Sequence, residues 1–492
     1  MHYEEISSLS RKFEKDGAIL KYLSFQACRM IRKHINEQTA IFFSVSKWLF
    51  LSSFVGVIIG TVVTIFLKIL QLSESGQVLL PFPYYYLLPF ALVLTVWIVR
   101  TFAPNAEGHG TEKVIEAVHK QHGKIDVPVI PVKLLATVLT IFAGGSVGKE
   151  GPGAQIGAGV SSVLSSLLHF SKEDRKKLVI CGISAGFATV FGTPIAGAIF
   201  GVEVLIIGVI LYDVLLPSFI AAFAAFTTAQ FLGIEYTYYD VHFYQQISLD
   251  IPLIIQVVIA GLFFGLVSDI VVTVVSQTSK QIKKIPLHPL VIAFLGGVVL
   301  VVLAKIFGNE YLGLGLGTIK DVLDQYPTEQ TPWYAFLAKT IFTAITLGVG
   351  GSGGIITPIF YIGSTSGFAF GHLVGGDHIP MFAALGFVSV LSGATNAPIA
   401  ATIMAVELFG LDIAHYAALS AVISFLITGH RSVFSSQILA MKKSEMLQIK
   451  VGEEVDHAEV ILDDREISKI RDIRERLQMR RKKLKEQQKP KK

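Results

Sequence analysis

Six stretches of this chain, Trp48–Leu67, Val78–Val99, Gly151–Phe170, Leu178–Val202, Thr340–Gly376 and Ile379–Val406, contain no Asp, Glu, Lys or Arg. Each is about as long as, or longer than, the roughly 20 residues a helix needs to cross a bilayer. Only 16% of the 492 residues are charged and 52% are hydrophobic, against about 25% charged in an ordinary soluble domain. The chain reads as an all-α polytopic membrane protein.

Its apolar segments are short, interrupted by Gly and Pro, and separated by brief polar links such as Ser171–Lys177. A bundle of straight spans does not look like this; tilted and half-length helices do. Irregular backbone at membrane depth survives only where protein or a water-filled cavity surrounds it, so the breaks mark a permeation or binding path. Both ends are rich in Lys and Arg, and the positive-inside tendency expects both in the cytosol, after an even number of crossings. The first forty residues carry scattered charges, without the pattern of a cleavable signal. The net charge of +5 sits largely in the termini. Those basic runs lack interleaved aromatics, which reads as a solvated face and not as a nucleic-acid surface. Cys28 and Cys181 suggest neither a disulfide framework nor a metal site. No metal or cofactor is expected.

The chain also repeats itself. Phe191–Leu205 aligns without a gap on Thr395–Phe409, matching Pro194 with Pro398, Ile195 with Ile399, Ala196 with Ala400, Val202 with Val406 and Glu203 with Glu407. Upstream, Pro152 matches Pro358 and Gly157 matches Gly363. Two homologous halves follow, and transporter halves of this kind often have inverted topology, with the site at their interface. The expected division is a cytosolic segment 1–47, a first membrane repeat 48–250, a second repeat 251–440 and a charged cytosolic tail 441–492.

Three glycine-rich breaks, Glu107–Val114, Gly148–Gly157 and Gly350–Pro358, each read as a helix start; the last two place a Pro where a helix could begin, in the first turn where its missing N–H has no partner. The unpaired N–H groups and positive dipole end of such a start attract anions without holding them as tightly as a fixed cation would. Several starts converging on one point would form an anion site.

Together "GKEGPGAQIGAG", "GGIITPIF" and "FGTPIAGAIFGVEV" resemble the CLC family of chloride channels and proton-coupled anion antiporters, over about Trp48 to Leu439. The resemblance implies a homodimer in a cell membrane, each subunit carrying chloride or a similar small anion past a gating glutamate at Glu150, flanked by Lys149 and Gly151. It implies backbone anion donors at Ile355 and Ile356. It places His109, beside Gly110, where the family commonly has a serine facing the anion, and Phe434 where it has a tyrosine. Both departures bear on selectivity. Antiporters of the family often carry an inner proton-accepting glutamate directly after the position of Glu203. Val204 stands there, which leans the expectation toward passive conduction, with proton-coupled chloride or fluoride antiport as the alternative. Glu203 is a candidate for proton transfer. Its recurrence as Glu407 favours a tie between a helix end and a neighbouring loop.

An enzyme is not expected. A hydrolase built on Ser352 with His372 or His430 lacks a base in the repeat, and a nucleotide-binding reading of the Gly148 break lacks the strand-then-helix context. The tail, with a helix expected over 464–488, is too short for paired regulatory nucleotide-binding domains and could equally lie as a basic arm on anionic lipid.

Overall fold

The computed structural model describes residues 2–236, 250–324, 331–376, 378–458 and 461–462. The helix expected over 464–488 lies outside them. Residues Met1–Leu51 and Ser52–Lys492 form two compact units. The first contains the leading part of α1 (His2–Gln77), which runs through Trp48 as continuous helix, so the expected boundary there is a change of composition and not a break in the backbone.

Among the described residues the helices fall into two sets of eight. The first is α1, α2 (Leu88–Phe102), α3 (Thr111–Lys120), α4 (Val129–Phe142), α5 (Glu150–Leu167), α6 (Lys172–Phe191), α7 (Pro194–Glu203) and α8 (Tyr212–Phe231). The second is α9 (Ile251–Ile282), α10 (Pro289–Phe307), α11 (Leu316–Leu323), α12 (Ala335–Gly348), α13 (Ile356–Leu373), α14 (Ile379–Thr395), α15 (Pro398–Phe409) and α16 (Ala414–Ile427). Each helix of one set answers to one of the other, in the same order. Five helical stretches are long and apolar enough to cross a membrane by length and composition, while α4, α7, α12, α14 and α15 are shorter apolar helices. On α9 the spacing of Ile255, Ile259, Leu262, Leu266 and Ile270 gives an exposed apolar stripe. Val257, Ala260, Phe264, Val267 and Val271 form its buried face. A stripe that is apolar and uncovered fits a lipid-facing surface.

Local chemistry sets the ends of these helices. Pro194 and Pro398 begin α7 and α15. The matched residues Gly192 and Asn396 end α6 and α14 in the left-handed region, at φ 75° and 58°. Small residues let helices touch. A Cβ on Gly157 of α5 would overlap the Gly182 carbonyl of α6, and one on Gly363 of α13 would overlap that of Gly386 on α14.

Equivalent groups of the two halves bond to each other. Gly148 and Gly354 exchange N–H···O=C hydrogen bonds, both 2.6 Å long, as an antiparallel bridge. Two equivalent residues pair antiparallel only where the halves run in opposite senses about a two-fold axis, so the repeats are inverted. Around that bridge Thr140 Oγ1 accepts from Ser352 N–H, and Thr346 Oγ1 from Ser146 N–H, each at 3.2 Å. The carboxylates do the same farther out. Glu203 accepts from the N–H groups of Ile399 (3.0 Å) and Ala400 (2.7 Å) at the start of α15, and Glu407 from those of Ile195 (3.0 Å) and Ala196 (2.7 Å) at the start of α7.

Both Glu203 oxygens are thus engaged in tying the end of α7 to the start of α15, a helix and not the neighbouring loop that its recurrence suggests. Hydrogen bonds to a charged group contribute about 1.5–3 kcal/mol each, and the orphaned N–H groups add a desolvation penalty. Glu203→Ala is therefore expected to destabilise the protein by roughly 2–5 kcal/mol, read as a lowered thermal midpoint in detergent. An unchanged midpoint would contradict the tie.

Candidate anion site

Helices begin at each of the three glycine-rich breaks, at Thr111, Glu150 and Ile356. Two of these starts meet at Glu150. The first residue of α5, it is 1% exposed, and its Oε2 accepts from Thr357 N–H at 3.1 Å and from the Thr357 hydroxyl. Its carboxylate therefore sits on the N-terminal turn of α13, the place the free N–H groups and dipole of a helix start prepare for an anion. Ile355 caps that helix and Ile356 opens it. Among the described residues neither backbone N–H has a hydrogen-bond acceptor, as the first turn of a helix requires.

The third start crosses behind α5. Gly110 precedes α3 at φ 83°, in the region that favours glycine. A Cβ on Gly151 would overlap the carbonyl oxygen of His109, and one on Gly110 would stand 2.6 Å from the carbonyl oxygen of Gly151. The break is held from its other side by the buried Lys133 of α4, whose Nζ donates to the carbonyls of Ala106 (3.1 Å) and Gly108 (2.5 Å). Lys339 of α12 repeats this in the other half, donating to the carbonyls of Tyr311 (3.0 Å) and Gly313 (2.8 Å) ahead of α11. Two buried lysine side chains thus anchor the breaks, each by donating to backbone carbonyls.

His109 and Phe434, far apart in sequence, come together with ring centroids 6.2 Å apart. The Nδ1 of His109 is buried without a hydrogen bond and lies 3.5 Å from Glu112 Oε2. Glu112 Oε1 accepts from the Ser435 hydroxyl, next to Phe434. On the opposite side of Glu150 a cavity of about 220 Å³ opens, lined among others by Glu74, Lys149, Glu150, Glu235, Leu314 and Thr357. Lys149 belongs to this mouth, not to the Phe434 side. The cavity gives Glu150 a mouth beside α11, while His109 and Glu112 stand on its α3 side.

Thr357 and Glu112, with Lys133 and Lys339, are the site residues that the motifs alone did not single out. The two lysines carried a signal: each is a lone cation in an apolar helix, at matching places in the halves. Ser352 instead shares a hydrogen bond with Thr137 Oγ1 at 3.3 Å, inside the bridge between halves. No histidine base bonds to it among the described residues.

A family model described as voltage gated chloride channel matches residues 90–429. The chain belongs to the CLC family. A chloride/fluoride channel protein of Pseudomonas syringae pv. tomato is 34% identical over 421 residues, covering 83% of this chain and 90% of that protein. Among solved structures, a CLC-type fluoride/proton antiporter superposes with a TM-score of 0.75 at 30% identity, over 81% of this chain and 99% of the other. A slow cyanobacterial Cl⁻/H⁺ antiporter superposes with a TM-score of 0.66 at 20% identity, a likeness of fold. The all-α CLC architecture and CLC-type anion transport across a membrane are therefore properties of this chain.

Proposed function

We propose that this CLC protein exchanges a small anion, fluoride before chloride, for protons. The observation that carries the reading is the seat of Glu150. A titratable side chain fills a helix-start anion position at the foot of the cavity, almost wholly buried, so an anion can take that seat only when the carboxylate leaves it. Protonation removes the charge that holds it there. One group then alternates between blocking the anion and carrying a proton, which is the minimum device for coupling the two flows. The solved CLC relative described as a fluoride/proton antiporter supports this reading above the passive conduction that Val204 suggests, and fluoride stands in its description as it does, beside chloride, in the name of the Pseudomonas channel protein.

On this reading His109, Gly110, Gly151, Ile355, Ile356 and Phe434 line the anion path, Lys149 draws anions to the α11 mouth, and Glu203 is a tie between repeats. A homodimer in the cell membrane with both termini cytosolic, divided near residues 48, 251 and 441, belongs to the same proposal and is supported by the family resemblance and the paired sets of helices. Purified protein in sealed vesicles tests it. With the membrane potential clamped, an outward fluoride gradient is expected to drive protons inward against no pH gradient, and a chloride gradient to drive fewer. Anion efflux with no proton movement under either gradient would overturn antiport.

A further inference from the structure

A proton that reaches Glu150 from the α3 side needs an acceptor there, and this inference rests on the antiport reading. Val204 offers none. Its side chain is fully buried and its carbonyl is engaged by Gln437 Nε2 at 2.7 Å. Glu203 has both oxygens committed to α15.

Another pair occupies the right place. The side chain of Glu112 is 26% exposed and that of His109 is 14% exposed, so one reaches water and the other lies mostly beyond it. They stand one helical turn apart at the start of α3, at 3.5 Å, just outside hydrogen-bond range. A small side-chain rotation closes that gap. The backbone of His109 lies against Gly151, directly after Glu150. Its buried Nδ1 has no hydrogen bond. A buried polar atom without a partner calls for an explanation, and a transferable proton supplies one. The charges around the ring are Glu112 and Lys113 on α3, Lys133 on α4 and Lys283 at the end of α9. Near Ser435 the other charged groups are paired, Lys280 with Asp456 at 3.1 Å and Lys120 with Glu454 at 2.9 Å.

We propose that Glu112 and His109 form the proton station of the α3 side. The Glu112 carboxylate takes a proton from water. Its O–H bond breaks as Nδ1–H forms on His109, and the ring gives up its Nε2 proton, directly or through one water, to the Glu150 carboxylate once that has left Thr357. Imidazole suits the step because it accepts on one nitrogen while donating from the other. Ser435 positions the carboxylate by donating to Oε1.

The test is the ratio of protons to anions moved by purified full-length protein in vesicles under a fluoride gradient. Glu112→Gln is expected to lower that ratio at least tenfold, and Glu112→Asp to restore part of it. A merely structural role would slow both flows together and leave the ratio unchanged, which would overturn the proposal. Should Glu112→Gln fail to assemble, Ser435→Ala serves instead. Losing the hydroxyl that positions Oε1, it is expected to lower the same proton-to-anion ratio several-fold, and an unchanged ratio would equally sink the idea. If the wild-type protein moves no protons under any anion gradient, the antiport reading falls first and this inference with it. A normal wild-type ratio retained in Glu112→Gln would leave antiport standing and remove only the station.

Discussion

Replacing Glu150 by alanine is expected to leave anion flux running at a rate that no longer changes with pH. In the wild type, flux should rise as pH falls, because protonation weakens the hold of Thr357 and the α13 dipole on the carboxylate and lets it leave the seat. A charge-assisted hydrogen bond is worth about 1.5–3 kcal/mol, and Glu150 accepts two from Thr357. Losing the charge therefore changes seat occupancy by roughly one to two orders of magnitude or more. Alanine has neither the charge nor the reach. Fluoride and chloride efflux from loaded vesicles between pH 4.5 and 7.5 gives the measurement, with proton movement recorded in parallel. The variant should show a flat profile and no proton movement. A profile that keeps the wild-type slope would mean that the titrating group lies elsewhere.

How much of this was legible in the sequence depends on how local the cause is. The helix starts at Thr111, Glu150 and Ile356 could be read because Gly and Pro act on their own backbone. The ties through Glu203 and Glu407 were foreshadowed because a residue serving the symmetry must recur in both halves. Thr357 was not legible as the holder of Glu150, since its hydroxyl looks like any other until a chain segment 207 positions away is brought against it. The Ser435–Glu112 contact spans 323 positions and has no counterpart among the described residues of the other half to announce it. Repetition exposes what is symmetric in an inverted-repeat protein; the asymmetric side chains, which make the two sides of Glu150 different, become visible only in three dimensions.

Gly151→Ala is expected to abolish transport while leaving Glu150 in the chain. The added Cβ would overlap the carbonyl oxygen of His109 and lie 3.0 Å from Gly354 Cα. Both obstacles are backbone, and neither can retreat. The break that carries His109 is anchored by Lys133 at Gly108, and Gly354 is locked to Gly148 by the paired hydrogen bonds on the symmetry axis. The start of α5 must then move away from that of α13, carrying Glu150 off Thr357 and the anion donors out of register. Misplacing reacting groups by about 1 Å can reduce a rate on the order of a hundredfold, and overpacking adds about 1–3 kcal/mol of instability. Gly317→Ala is the matched control: it lies within α11 with nothing within 4 Å of the added carbon, where Ala favours a helix by about 0.5–1 kcal/mol. Anion efflux per assembled protein should fall at least a hundredfold in the first variant and hold in the second. Wild-type flux in Gly151→Ala would mean that the three breaks do not meet as tightly as an anion site built from their backbones demands.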